Sequence, residues 1–319
     1  MMEVVVKKSS DLSQEEFGQI SRLFETVFEK SRSIDLLHRQ YEKNPFGYAW
    51  LSMLVDKNRI VGLNSYVPSF YEVNGERKVF ANSIDSMVEK PYRDFFNFND
   101  MIRAAYKAMA SNGVDFVYGY PNDNSYPVLT KGKLMKPIGK MHTYCLPYCI
   151  GGIKPSLGIL NPMSKAFCRM YSFISGMTAS SKRFDFAVSK DSESYNATRY
   201  RRGDADYGHA DLGDGELHYK ITNHEGVRTA FIIDIDRKSP RNFNRAVRYL
   251  LKNHSKEFDL ILYPGWLPFR NTGMIKLPRK LEPKNFNLTG KMLAKKGELP
   301  EEIWHIENWD TNLSNYDLI

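Results

Sequence analysis

Asp85 stands on an apolar-rich strand three residues before Val88, where a carboxylate can take a proton or pair with a lysine. Downstream, Asn122, Asn124 and Tyr126 crowd the start of a short helix in "GYPNDNSYP". Amides there can bind hydroxyls or cap the helix, and the phenol can give up a proton or pack on Pro127. Between them lies "YRDFFNF", Tyr92 to Phe98, at a strand-to-helix junction after Pro91. Arg93 and the N–H groups of a helix N-terminus can hold an anion at such a junction. His142, Cys145 and Cys149 are spaced like metal ligands at a glance. Their segment, "MHTYCLPYC", reads as extended and lacks a second Cys/His pair, which favours buried thiols over zinc and a structural role for His142. The tail "IWHIENWDTNLSNYDLI" sets Trp304, Trp309 and Asp310 near one another, a combination that stacks on a sugar ring or packs a terminal strand.

The elements that must position these groups are legible from hydrophobic period and turn residues. Strand 3–7 leads into helices 13–29 and 34–42 and a hairpin over 50–68. Strands 69–73 and 78–88 flank Asn74-Gly75, the strongest hairpin signal in the chain. Helix 98–111, strand 116–120, a short helix from Ser125 and strand 138–146 follow.

Composition bounds the function classes. The chain has 319 residues, 42% of them apolar and 26% charged, which suits one large folded domain or two ordinary ones. No low-complexity segment appears. The three-valine run at the start is too short for a signal sequence, so a cytoplasmic protein is expected. The most apolar stretch, 144–177, is broken by Lys154, Pro155, Pro162, Lys165 and Arg169 and offers no membrane span, although it can touch a membrane surface. Three cysteines give no disulfide framework. The net charge of 45 − 37 = +8 suits a phosphate-bearing ligand, or simply a solvated basic surface.

Two passages repeat in kind. "LSMLVDKNRIVGLNSYVP" and "HYKITNHEGVRTAFIIDI" both read as hairpins, and "RAAYKAMASNGVDFVYGYP" pairs with "RAVRYLLKNHSKEFDLILYPGW" as helix then strand, beginning beside Asp115 or Asp259. Gln40-Tyr41 and Arg199-Tyr200 form a third echo. Two copies of one α/β unit are expected, 1–150 and an abbreviated 151–319 without the Asn-Gly hairpin, joined through "CIGGIKPSLGILNP".

This order, with "VEKPYR", "VDFVYGYPNDNSYP" and "KLMKPIG", resembles the GNAT acyltransferase superfamily, and most of all the tandem-GNAT proteins found with bacterial surface-polysaccharide genes. The resemblance implies an α/β (α+β) fold of two units, each a mixed, mostly antiparallel sheet flanked by helices. It implies strands 80–88 and 116–120 splaying apart, with the pantetheine of acetyl-CoA or another acyl-CoA bonded along the backbone of Met87 and Val88. The pyrophosphate is then expected on the turn after Pro91, beside Arg93, Asn97 and Phe98. Arg93 matches the first position of the family motif Q/R-x-x-G-x-G/A, whereas Phe96 and Phe98 occupy its glycine positions. Glycine lets backbone approach phosphate, so the turn either holds phosphate through Arg93 and the helix N-terminus or is closed. Asp85 is implied as general base through the D-x-x-V pattern, Tyr126 as a substitute general acid, and Asn122, Asn124 and Trp309 as substrate contacts.

The leading expectation is an acyl-CoA-dependent N-acyltransferase acting on an amino sugar, a nucleotide sugar or a similar small amine in polysaccharide assembly, with no DNA partner and no metal. The alternatives are an aminoacyl-tRNA-dependent transferase of the Fem type, which the positive charge also suits, and a non-catalytic binding protein on the same scaffold.

Overall fold

The computed structural model describes residues 2–200, 207–295 and 297–316. Residues 201–206 and 317–319, which fall within the second copy and the tail read from sequence, lie outside that set. The chain divides into two compact units: Met1–Gly139 with Ala187–Arg202 and Asn287–Asn308, and Lys140–Phe186 with Gly203–Phe286 and Trp309–Ile319. These are not the expected halves 1–150 and 151–319, because each unit takes strands from both ends of the chain.

The first unit runs β1 (Met2–Lys8), α1 (Gln14–Phe28), α2 (Ile34–Glu42), β2 (Trp50–Asp56), β3 (Arg59–Val73), β4 (Glu76–Val88), α3 (Phe95–Ser111), β5 (Phe116–Gly119), α4 (Ser125–Lys131) and β6 (Lys136–Lys140). It continues after the second unit has begun, with β8 (Val188–Lys190), α7 (Ser192–Tyr195) and β14 (Asn287–Met292). Among the described residues its sheet is eight-stranded, in the order β1-β2-β3-β4-β5-β14-β6, with β8 on β3. Within it β4 and β5 pair in parallel.

Local chemistry explains the elements. Ser13 and Glu16 form a reciprocal capping box at the start of α1. Lys57-Asn58 and Asn74-Gly75 both have positive φ, the two-residue turn that matches strand twist. Strand 59–73 is continuous where the sequence reading divided it at Pro68; the proline is tolerated because the chain stays extended. Phe17, Ile20, Leu37 and Tyr41 cover one face of the sheet with α1 and α2. Ile102, Ala105 and Met109 of α3 pack with Trp50, Tyr66 and Val117 in a separate cluster.

The second unit comprises β7 (His142–Pro147), α5 (Ile150–Ile153), α6 (Asn161–Met177), β9 (Gly208–Asp211), β10 (Glu216–His224), β11 (Val227–Ile235), α8 (Pro240–Asn253), β12 (Leu260–Gly265) and β13 (Ile275–Lys276). Its sheet order is β13-β7-β12-β11-β10-β9, with β11 and β12 parallel. The expected strand 138–146 is therefore two strands in two sheets, divided at Met141.

The repeat is real, but its hairpins correspond differently from the sequence reading. The strand that enters the helix and pairs in parallel with the strand leaving it is β4 in one unit and β11 in the other. Thus β10–β11 matches β3–β4, the Asn-Gly hairpin, and not the hairpin over 50–68. Both β4 and β11 carry a bulge two residues beyond the end of their parallel ladder: pairing stops at Ser83 and at Phe231, and the registers slip at Asp85 and near Ile233.

Candidate active site

Asp85 and the turn 92–98 follow the point where β4 leaves β5, and Asn122, Asn124 and Tyr126 follow the end of β5. The parallel ladder covers Phe80–Ser83 against Phe116–Gly119 and then ends, while β4 continues to Val88 paired only with β3. Among the described residues no strand pairs with Ile84–Val88 on the β5 side. The bulge sets Asp85 and Ser86 into the span where Leu63 faces Met87 and Ser65 faces Ile84, and gives Asp85 a φ of 48°. A slip of this kind bends the strand and re-aims one side chain.

That side chain is Asp85, and its carboxylate does not stand alone. Arg32 Nη1 donates to Oδ1 at 3.0 Å and to Oδ2 at 3.1 Å. Gln40 Nε2 and Tyr41 OH donate to Oδ2 at 2.9 and 3.1 Å, and Ser65 Oγ donates to the Tyr41 oxygen at 3.1 Å. The Asp85 side chain is only 8% exposed. The Arg32 guanidinium lies 4.0 Å from the Phe24 ring centroid, and Ser21 Oγ fixes the Arg32 carbonyl. Burial first, and then the Asp85 charge, raise the Tyr41 phenol far above its ordinary value, so it stays a donor. The expected general base is thus an anion held by an arginine and two neutral donors. Sequence reasoning missed Arg32, Gln40 and Tyr41 as its partners, although Gln40-Tyr41 had been noticed as an echo between the copies.

The turn after β4 answers the question raised by its missing glycines. Asp94 is the N-cap of α3: it accepts from Asn97 N at 2.7 Å and Asn97 Nδ2 at 2.6 Å. The helix therefore starts at Phe95 and not at Phe98, and a carboxylate occupies the end where a pyrophosphate was expected. Arg93 turns back, donating from Nε to the Val88 carbonyl at 2.7 Å. Asn97 also reaches the Tyr92 carbonyl. Phe96 is 75% exposed, while Phe98 is half-buried against the cluster of Leu54, Val61, Val88 and Met101. Met87 and Val88 bury their side chains on opposite faces, leaving only backbone for a ligand.

Across the cleft, Asn122 Oδ1 accepts from Asn124 N and Ser125 N, at 3.0 and 2.9 Å, so its side chain serves as a cap at the start of α4. Asn124 is exposed. Tyr126 is half-buried, and its hydroxyl has no hydrogen-bond partner among the described residues. Nearby, Thr130, Lys133, Lys136, Lys291 and Trp304 help to line a cavity of about 360 Å³ over β14, with the Lys136 ammonium 4.4 Å from the Trp304 ring centroid.

Trp309 corrects the sequence reading. It belongs to the second unit and is 1% exposed, so no sugar can stack on it. The tail that follows fills the place where β11 and β12 part. Trp266 N donates to the Thr311 carbonyl, Gly265 bridges Asn312, and Asn312 Nδ2 donates to Asp234 Oδ1 at 2.6 Å. Leu313, Ser314 and Asn315 are buried. Lys238, also buried, pairs with Asp234 at 3.2 Å and with Asp310. Burial alone would depress the Lys238 ammonium, but the two carboxylate charges outweigh it and hold the group charged. The second cleft is plugged by its own chain terminus.

His142 bonds Glu282 through Nδ1 at 3.2 Å and stacks on Trp266, and burial followed by the Arg279 charge lowers its pKa. Burial pushes the Cys145 thiol up to about 11. His142, Cys145 and Cys149 do not form a metal-ligand cluster among the described residues. A different set lies close enough for one cation: His209, Glu216 and His218, with ligand atoms within 4.8 Å of one another. His209 Nδ1 and His218 Nδ1 are 2.9 Å apart across the β9–β10 pair. A hydrogen bond between the two imidazoles accounts for that distance. The sequence signal was E-x-H on a strand, which puts both side chains on one face.

No family model and no curated protein matches the chain. Solved structures do. A probable N-acyltransferase from Enterococcus faecalis V583 is 11% identical with a TM-score of 0.58, covering 92% of this chain and 73% of that one. A GCN5-related N-acetyltransferase from Kribbella flavida is 10% identical with a TM-score of 0.58, covering 92% and 72%. Another from Anabaena variabilis is 11% identical with a TM-score of 0.58, covering 92% and 73%. The chain has the GNAT acetyltransferase fold over most of its length.

Proposed function

We propose that the chain is an N-acyltransferase whose thioester donor lies along the edge of β4 beyond the end of its ladder with β5 in the first unit. The observation that carries this reading is the bulged edge of β4 past Ser83, which runs on after β5 has parted from it, with the Val88 carbonyl held by Arg93. An extended pantetheine arm can add to such an edge through its amides, as a further strand would. The plugged cleft of the second unit supports assigning the chemistry to the first.

In this reading the acceptor is a small amine such as an amino sugar, bound on the Asp85–Arg32 side of β4. The amine nitrogen attacks the thioester carbonyl, the C–S bond breaks, and Tyr126 protonates the departing thiolate. The proton lost by the nitrogen passes to Asp85 once the amine has displaced Arg32 from it. A β4 N–H meets the oxyanion. Asp85 and Arg32 thus work as a pair: the carboxylate recognises the amine, and the guanidinium holds its place until the amine arrives.

A second reading has a specific observation behind it. The carboxylate of Asp94 at the N-terminus of α3 disfavours a pyrophosphate there, which suits a donor that does not use this turn, an aminoacyl-tRNA. Thermal shift with acetyl-CoA, charged tRNA and nucleotide amino sugars separates the readings, because a ligand of the folded state raises Tm by mass action. Stabilisation by acetyl-CoA supports the first, stabilisation by charged tRNA alone supports the second, and none by either assigns the cleft another use.

A further inference from the structure

Helix α6 is amphipathic in the reverse sense. The residues it buries are small, Cys168, Ser172 and Ser175. Gly176 lies close enough to α8 that an added Cβ would come within 3.4 Å of the Arg248 guanidinium. The large apolar residues point outward: Met163, Phe167, Met170, Phe173, Ile174 and Met177 are all exposed, Met177 to 73%. At 3.6 residues per turn these six fall within an arc of roughly 120°. Ile159, just before the helix, is 89% exposed. At about 150 to 250 Å² per large side chain, the stripe presents on the order of 600 Å², the upper end of what a monomer leaves uncovered.

The two helices themselves carry only basic charge. Between Asp123 and Asp185 the sequence contains no Asp or Glu, and neither does α8 from Pro240 to Asn253. Arg241, Arg245, Arg248 and Lys252 are the exposed basic residues of α8, at spacings of four, three and four that align them on one face. Arg248 links the two helices, its guanidinium 5.8 Å from the Phe173 ring centroid. Lys165 and Arg169 flank the stripe on α6 itself, both near Tyr148. Asp214 counters Arg183, which lies beyond the end of α6.

We propose that α6 and α8 together form a docking surface for an anionic lipid bilayer, with the α6 stripe in the acyl boundary and the α8 arginines at the headgroup phosphates. A helix with an apolar face and a basic neighbour matches the chemistry of an interfacial segment. A second copy of this chain is disfavoured as the occupant, because a two-fold contact through the stripe brings two basic rows together. Nucleic acid would satisfy the arginines and leave the apolar stripe in water. This assignment is independent of the acyltransferase reading.

The test is co-sedimentation of the full chain with phosphatidylcholine vesicles and with phosphatidylcholine–phosphatidylglycerol vesicles. The chain is expected to bind the anionic vesicles and not the neutral ones, less so as salt rises. Met170→Glu with Ile174→Glu, and separately Arg241→Glu with Arg248→Glu, are each expected to cut the bound fraction about 10-fold or more. Both side-chain pairs are exposed, so unchanged circular dichroism and Tm check the fold, and Ile174→Ser serves as a milder variant if either pair unfolds. Absence of binding, binding unaffected by the variants, or a solution dimer that the Glu pair converts to monomer without any vesicle binding overturns the proposal.

Discussion

At the scale of single residues, the bulge makes Asp85 both an anchor and a reactive group, and one substitution separates those roles. Asp85→Asn removes the charge facing Arg32 and leaves that guanidinium half-satisfied. Because Arg32 remains partly exposed, the expected loss of stability is about 1–2 kcal/mol, less than for a fully buried pair. If Asp85 also takes the amine proton, turnover falls by about 100-fold or more in the folded fraction. Denaturant melts and steady-state rates on one preparation check both, and a variant that loses stability but keeps full turnover confines Asp85 to anchoring. The second substitution concerns the turn. Asp94→Gly with Phe96→Gly removes the self-cap and bares backbone N–H groups at the α3 N-terminus. CoA should bind more tightly by calorimetric titration, while the helix loses about 1 kcal/mol, mostly from the glycine within its first turn. Arg93→Ala, which removes the guanidinium from the Val88 carbonyl, is the contrasting control.

Among the elements, β12 is anchored at its start by Asp259, and β5 by Asp115. Arg228 grips Asp259 through Nε at 2.9 Å and Nη2 at 2.7 Å, while Cys149 N donates to the Asp259 backbone carbonyl. The bonds from Arg228 hold the Asp259 carboxyl below the usual range, with burial opposing them. A carboxyl lowered on folding adds stability above its unfolded pKa and gives it up as pH falls through the folded value. The Tm difference between wild type and Asp259→Asn should therefore be present at pH 7 and shrink below about pH 4. A difference that stays constant from pH 7 to pH 3 would show that the carboxylate charge is not what matters. Asp115 differs in its partner: it accepts from the backbone N–H of Val79, so it secures the strand to β4 without an arginine.

Over the whole molecule, each unit draws strands from both halves of the chain. Strand β14, between β5 and the edge strand β6, comes from the C-terminal part of the chain, and β7, beside β12, comes from the N-terminal half. Expressed alone, residues 1–150 lack β14 and β8, and residues 151–319 lack β7. Each fragment would expose strand edges and apolar faces to water, so each should be insoluble or lack cooperative unfolding. Co-expression should recover a soluble complex that melts cooperatively. Two fragments that fold separately with sharp transitions would show that the exchanged strands are dispensable.

The sequence by itself determined what depends on near neighbours. The Asn74-Gly75 hairpin, the Ser13–Glu16 capping box and the amphipathic period of α8 are written within a few residues, since turn geometry and helical faces are local physics. Asp94 as a helix cap is equally local, three residues before Asn97, and it accounts for a turn without glycines. The GNAT fold, too, was readable from the order of elements. Only the tertiary structure decided which strand lies beside which: period and turn residues leave the choice of neighbour open, and β14 meets β5 across more than 150 residues of chain. For the same reason Asp85 could be read as a lone base, because Arg32, 53 residues away in sequence, reaches it only after α1 and α2 have packed onto the sheet. Trp309 looked like a sugar platform for want of one fact that no local pattern contains: its indole is buried within the second unit.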